Sequence, residues 1–91
     1  MKVAITILTF NRASVLRELL DSLTALNRTV WEIIVVDNFS EDGTGEMVRS
    51  HGVRPIYVRL DRNIGTAARN HGLKMATADI VVTLDDDIIG L

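Results

Sequence analysis

Ile80-Val81-Val82-Thr83-Leu84-Asp85-Asp86-Asp87 runs an apolar, β-branched segment directly into three carboxylates. The apolar part reads as a strand buried within a sheet, and the acids mark where the strand leaves it. Successive side chains of a strand point to opposite faces, so Asp85 and Asp87 share a side and Asp86 points away. Two converging carboxylates repel each other and lose solvation. A hard divalent cation such as Mg²⁺ or Mn²⁺ relieves both costs through oxygen ligation. The run therefore reads as an Asp-x-Asp metal clamp, with a solvated acidic loop as the plain alternative.

Working back from this strand, apolar runs and amphipathic runs alternate. Val3 to Leu8 is a first strand, apolar on both faces. Ser14 to Leu26 follows, with Val15, Leu16, Leu19, Leu20, Leu23 and Leu26 at helical spacing and Asn11 or Ser14 as the cap. Trp31 to Val36 is the second strand, ending at Asp37. Ser40-Glu41-Asp42-Gly43-Thr44 is a turn-and-cap cluster feeding a short helix to about His51, which Gly52 stops. Ile56 to Leu60 is the third strand. Asn63-Ile64-Gly65 opens a helix from about Thr66 to Ala76, with Ala68, Gly72, Leu73 and Ala76 as its packing face.

This order predicts an α/β fold: a Rossmann-like, open, mainly parallel four-stranded sheet, order 3-2-1-4, with helices on both faces. Residues 1–91 read as a single domain without repeat or linker. Ligands of such sheets bind at the carboxyl ends of the strands, where strand order reverses. Thr9-Phe10-Asn11-Arg12, Asp37-Asn38 and Asp85-Asp86-Asp87 are expected to meet there.

Composition narrows the partners. A net charge of −2 argues against general nucleic-acid binding. The chain has no cysteine, which removes disulfide frameworks and thiolate metal sites. A hydrophobic fraction of 47% and a mean hydropathy of +0.22 argue against disorder. No apolar run reaches the length of a transmembrane segment, and Met1-Lys2-Val3 does not open a signal peptide. The expected location is cytoplasmic, with peripheral membrane association open for a full-length form. His51 and His71 lack metal-ligand spacing and read as surface or capping residues.

The segment after the first strand carries neither Gly-x-Gly-x-x-Gly nor a P-loop, and the acids end the second and fourth strands rather than the first. A nucleoside-diphosphate-sugar pocket fits what remains. Phe10 offers a stacking face for a base, and Asp37 or Asn38 a polar contact to its edge. Arg12 and Arg69 suit diphosphate oxygens, and the Asp pair suits a metal on the same group. Each has a plain counterpart: Phe10 as core, Asp37 and Asn38 as turn caps, Arg69 as a surface ion pair with Asp61 or Asp42.

Several segments together resemble the inverting glycosyltransferases of family 2, with the GT-A fold. Val3 to Arg12 is similar to that family's opening strand and Thr-Tyr-Asn-Arg turn. Glu32-Ile33-Ile34-Val35-Val36-Asp37-Asn38-Phe39-Ser40-Glu41-Asp42-Gly43-Thr44 resembles its second strand and turn. Asn63-Ile64-Gly65 with Ala68-Arg69-Asn70 and Gly72 matches a third motif, and Asp85-Asp86-Asp87 takes the Asp-x-Asp place. The resemblance implies a donor-binding part of a GT-A domain, truncated at Leu91, for a nucleoside-diphosphate sugar of UDP or dTDP type with Mn²⁺ or Mg²⁺.

By position, Asp37 and Asn38 would contact the base, and Asp85 to Asp87 ribose and metal, with Asp87 a direct ligand. The general base that activates the acceptor is expected beyond Leu91, so the chain alone is expected to lack transfer. Phe10 stands where Tyr is frequent, Asn38 where many members have Asp, and Phe39 where Gly is usual. The alternatives are a non-enzymatic nucleotide-binding or protein-interaction module, and a nucleotidyltransferase, which would want a Gly-rich basic loop after the first strand. The fourth strand, left at a sheet edge, is expected to promote self-association.

Overall fold

The alternation of apolar runs and turn clusters produces a parallel sheet with a helical layer on each face. The computed structural model describes residues 1–26 and 30–85. Strand β1 is Val3–Thr9, β2 Glu32–Asp37, β3 Ile56–Arg59 and β4 Ile80–Asp85. Helix α1 is Ala13–Leu23, α2 Thr44–Ser50 and α3 Arg69–Met75. The sheet order is β3-β2-β1-β4, and every pair is parallel, as the sequence predicts.

Strand periodicity assigns the two cores. Ile5, Ile7, Ile33 and Val35 face Leu16, Leu19, Leu20 and Leu23 of α1 and Val48 of α2. Their neighbours Ile34 and Val36 face the other way, onto Ala68. The fit of α3 to this second face depends on Gly72, whose position lies against Thr6 and Val36 of the central strands. A full side chain there would meet stiff β-branched neighbours, which explains a glycine inside a helix.

Several boundaries differ from the sequence expectation. Helix α1 begins at Ala13 and tightens into a 3₁₀ turn at Thr24–Leu26. Neither Asn11 nor Ser14 caps it. The cap position is Arg12, whose side chain does not cap the helix, and the Ala13 amide instead donates to Asp42 Oδ2 at 3.2 Å. Gly52 does not terminate α2. His51 turns extended there, and its Nδ1 accepts the Val53 amide at 3.1 Å. The third helical segment starts as a 3₁₀ turn, Gly65–Ala68, before α3. Leu73 is 45% exposed rather than packed, because with Gly72 against the sheet the next residue is turned about 100° away.

Strand β4 lies at one edge of the sheet, with Ile80 and Val82 exposed. No helix among the described residues is long and apolar enough to cross a membrane.

Candidate functional site

The register fixes which residues share the carboxyl edge. Thr9 lies opposite Asp37, Asp37 opposite Arg59, and Leu8 opposite Asp85. The ends of all four strands therefore reach one side of the sheet. The reversal of strand order falls between β1 and β4, so the end of β1 and the end of β4 lie beside each other. The structure brings Thr9, Asp37 and the backbone of Asp85 to this edge as predicted. The Asp85 side chain, Asp86 and Asp87 lie outside the described residues.

Asp37 is fully buried. Its Oδ1 accepts the Ser40 amide at 2.8 Å, and its Oδ2 accepts a short hydrogen bond from the Tyr57 hydroxyl. Burial raises the Tyr57 phenol above its usual range, and the hydrogen bond to the Asp37 carboxylate and its negative charge add to this. Asn38 is also buried and works in two directions. Its Oδ1 accepts the Ile64 amide at 2.9 Å while its Nδ2 donates to Gly65 O at 3.2 Å. The expected turn-capping role is present for Asp37. Asn38 latches the end of β2 to the loop ahead of α3.

A second set of bonds stitches the first loop to the second. The Asn11 amide donates to Ser40 Oγ at 2.8 Å, and Asn11 Oδ1 accepts the Glu41 amide at 2.8 Å. Asn11 adopts φ 49°, a left-handed conformation that asparagine tolerates. Asp42 closes the stitch. Besides Ala13, it accepts the amide and hydroxyl of Thr44. Slight burial works to raise the Asp42 pKa, but these hydrogen bonds outweigh it and hold the carboxyl below the usual range.

Outside this fastened floor stand the exposed groups. Phe10 is 41% exposed at the end of β1, which favours a platform over a core role. Arg12 is exposed ahead of α1, and Arg69 is exposed as the first residue of α3. Arg69 also borders a crevice of about 10 Å³ with Leu8, Val36 and Thr83, room for about one water. A wider depression of about 230 Å³, lined by Ala13, Ser14, Arg17 and Met47, lies between α1 and α2. It gathers no group suited to phosphate or metal apart from Arg17, and the strand edge is the better candidate.

Two residues that sequence reasoning did not single out, Tyr57 and Arg59, hold the site together with Ser40 of the turn-and-cap cluster. Arg59 Nε and Nη2 donate to Ser40 O at 3.2 and 3.0 Å, and the guanidinium lies 4.5 Å over the centre of the Phe39 ring. Phe39 has φ 76°, confirming that a bulky residue occupies a turn position suited to glycine. His51 pairs with Asp21 at 2.7 Å; its side chain is largely buried, and with the Val53 amide on Nδ1 it fits the capping reading rather than the surface one. Among the described residues no three His, Cys, Asp or Glu side chains gather as a metal site.

The sequence profile of Glycosyl transferase family 2 matches residues 4–89, nearly the whole chain. The chain belongs to glycosyl transferase family 2. Among its relatives, an uncharacterized glycosyltransferase of Bacillus subtilis, YwdF, is 35% identical over 96% of this chain and 33% of its own length. An undecaprenyl-phosphate 4-deoxy-4-formamido-L-arabinose transferase of Aeromonas hydrophila is 34% identical over 94% of this chain and 29% of its own.

Solved structures of other proteins share the fold. The mannosyltransferase PcManGT of Pyrobaculum calidifontis, in complex with GDP-Man and Mn²⁺, superposes with a TM-score of 0.82. It is 32% identical and is matched over 94% of this chain and 27% of its own. S. aureus TarS, in its 1–349 form, gives a TM-score of 0.83 at 30% identity, over 96% of this chain and 28% of its own. The sheet is thus that of the GT-A glycosyltransferases. The chain spans about a third or less of the length of these relatives.

Proposed function

We propose that this chain is the donor-binding part of a glycosyltransferase and holds a nucleoside-diphosphate sugar along the carboxyl edge of the sheet. One observation carries the proposal. The β1–β2 and β1–β4 registers place the loop after Thr9 between Asp37 on one side and Asp85 on the other, at the reversal of strand order. The mannosyltransferase complex with GDP-Man and Mn²⁺, at 32% identity, supports the ligand class.

The residues divide into a floor and a contact layer. Thr9, Asp37 and Asn38 are buried and set the shape of the edge. Phe10, Asn11, Arg12 and Arg69 are exposed around them, two of them guanidinium groups suited to a diphosphate. Asp85, at the end of β4, and Asp87 would hold a divalent cation, with Asp86 toward the ribose. An all-carboxylate donor set fits Mn²⁺ or Mg²⁺. Bound there, the metal supplies positive charge to the diphosphate leaving group.

The protein's own groups orient the donor, and none of them is assigned to deprotonating an acceptor. We therefore expect residues 1–91, a single donor subdomain, to bind without transferring. The exposed β4 edge, with Ile80 and Val82, is expected to promote self-association that light scattering would detect as a concentration-dependent mass.

Calorimetric titration with UDP, GDP and dTDP, each with and without Mn²⁺, tests the proposal. Metal-dependent binding that Asp87→Ala abolishes is the expected outcome. Folded protein that binds none of the three refutes it.

A further inference from the structure

The Phe39–Arg59 pair is not explained by folding alone. A non-glycine residue at φ 76° is strained, and strain of this kind persists where surrounding contacts over-determine it, often at ligand sites. Glycine would meet the backbone requirement without cost. What the phenylalanine adds is a flat apolar base on which the Arg59 guanidinium lies at 4.5 Å.

The guanidinium is fixed on its edge as well, since Nε and Nη2 both donate to Ser40 O. Ser40 is itself anchored, its amide on Asp37 and its hydroxyl on the Asn11 amide. An arginine held on one face and one edge has little conformational freedom left to lose. Arg59 is nonetheless exposed, at the last position of β3, directly opposite Asp37 in the register. A preorganised, exposed, planar cation beside the carboxyl edge is suited to stacking against a flat aromatic ligand.

We propose that Arg59, layered on Phe39, is a stacking platform for the nucleobase of the donor. This rests on the donor-binding function proposed above and adds its base subsite. The platform lies at the β3 side of the sheet, on the far side from the end of β4, where the proposed diphosphate and metal contacts begin. Stacking needs only a π-face, so the platform raises affinity for nucleotides of every base and leaves base choice to other groups.

The test compares nucleoside diphosphates with inorganic pyrophosphate, which lacks a base, in calorimetric titrations with Mn²⁺. Arg59→Lys keeps the charge and loses the plane and the fork. Phe39→Gly removes the support and also relieves the backbone, so thermal unfolding should show its fold retained. Both variants should weaken UDP and GDP binding about tenfold and leave pyrophosphate binding unchanged. Phe39→Trp, which restores an aromatic support, should recover nucleotide affinity.

Nucleotide affinities equal to wild type in both variants would overturn the platform while leaving donor binding intact. Equal losses for nucleotide and pyrophosphate would overturn it in favour of a general charge or folding role. A wild-type chain that binds no nucleoside diphosphate would overturn the donor function and the platform together.

Discussion

Gly72→Ala should destabilise this protein although it adds a helix-favouring residue inside a helix. An alanine Cβ built at this position lies 3.1 Å from Thr6 Cβ, 3.2 Å from Thr6 Cγ2 and 3.3 Å from Val36 Cγ2. Optimal carbon contacts are about 3.5–4.0 Å, so three contacts are short at once. Thr6 and Val36 are both buried, β-branched and fixed in the two central strands, and cannot rotate away. Relief has to come from α3, a helix of seven residues, lifting from the sheet by a few tenths of an ångström.

The helix preference of alanine over glycine contributes about 1 kcal/mol in favour, and overpacking of a tight core costs about 1–3 kcal/mol. The upper half of that range applies where neither neighbour yields, which leaves a net loss of about 1–2 kcal/mol. For a domain of this size the melting temperature falls by about 4–8 °C for each kcal/mol lost. Gly52→Ala is the matched control. Nothing lies within 4 Å of its Cβ and its φ is not positive, so it should gain about 0.4–1 kcal/mol by restricting the unfolded chain. Urea unfolding of both variants, with m held constant, reads the two signs. A Gly72→Ala variant as stable as wild type, or shifted in the same direction as Gly52→Ala, would refute close packing of α3 on the sheet.

Two further perturbations probe the floor of the site. Tyr57→Phe leaves Asp37 Oδ2 buried without its hydroxyl donor and should cost about 1.5–3 kcal/mol in chemical unfolding. The phenol pKa is raised in the folded state, so its contribution is complete below its unfolded value of about 10 and is lost as pH rises through the folded one. Wild type should lose stability more steeply than Tyr57→Phe in strong alkali; parallel pH profiles would rule this linkage out. Asn38→Asp can still accept the Ile64 amide but sets a second acceptor against Gly65 O, costing about 1–3 kcal/mol. Faster hydrogen exchange at Ile64 should accompany it, and unchanged protection there would show that the latch does not hold the loop.

The fold was legible because each strand is an apolar run bounded by turn residues and each helix keeps a three-to-four spacing. Crossover rules for parallel α/β sheets point to the strand order, while the register comes from the structure. The site was legible in residue type and not in role. Asp37 has the same appearance as a ligand or a turn cap until Ser40 and Tyr57 are seen on its two oxygens. Tyr57 lies on β3, two residues before the position opposite Asp37, a relation that only the β2–β3 register reveals. Asn38 resembles a base contact by position, yet both ends of its amide bind the main chain of a loop 26 and 27 residues away. Long-range pairings between loops leave no periodic trace in sequence. The left-handed turn at Phe39 was the exception, since a bulky residue at a glycine position points to strain before any coordinates are known.

These inward bonds bear on how a nucleotide would be read. A carboxylate has about four lone-pair sites, so Asp37 retains acceptor capacity after its two hydrogen bonds. Asp37 and Asn38 are both buried beneath the loops, so access rather than acceptor capacity is what a ligand would have to gain. For either to touch a base directly, the stitched loops would have to part, breaking bonds from Asn11 to Ser40 and Glu41 or from Asn38 to Ile64 and Gly65. With the loops closed, the proposed site presents outward the Phe10 ring and, at the end of β3, the Arg59 plane. Asn38→Asp then changes nucleotide affinity by loosening the loop before α3, and its effect should track the exchange rate of the Ile64 amide rather than the identity of the base.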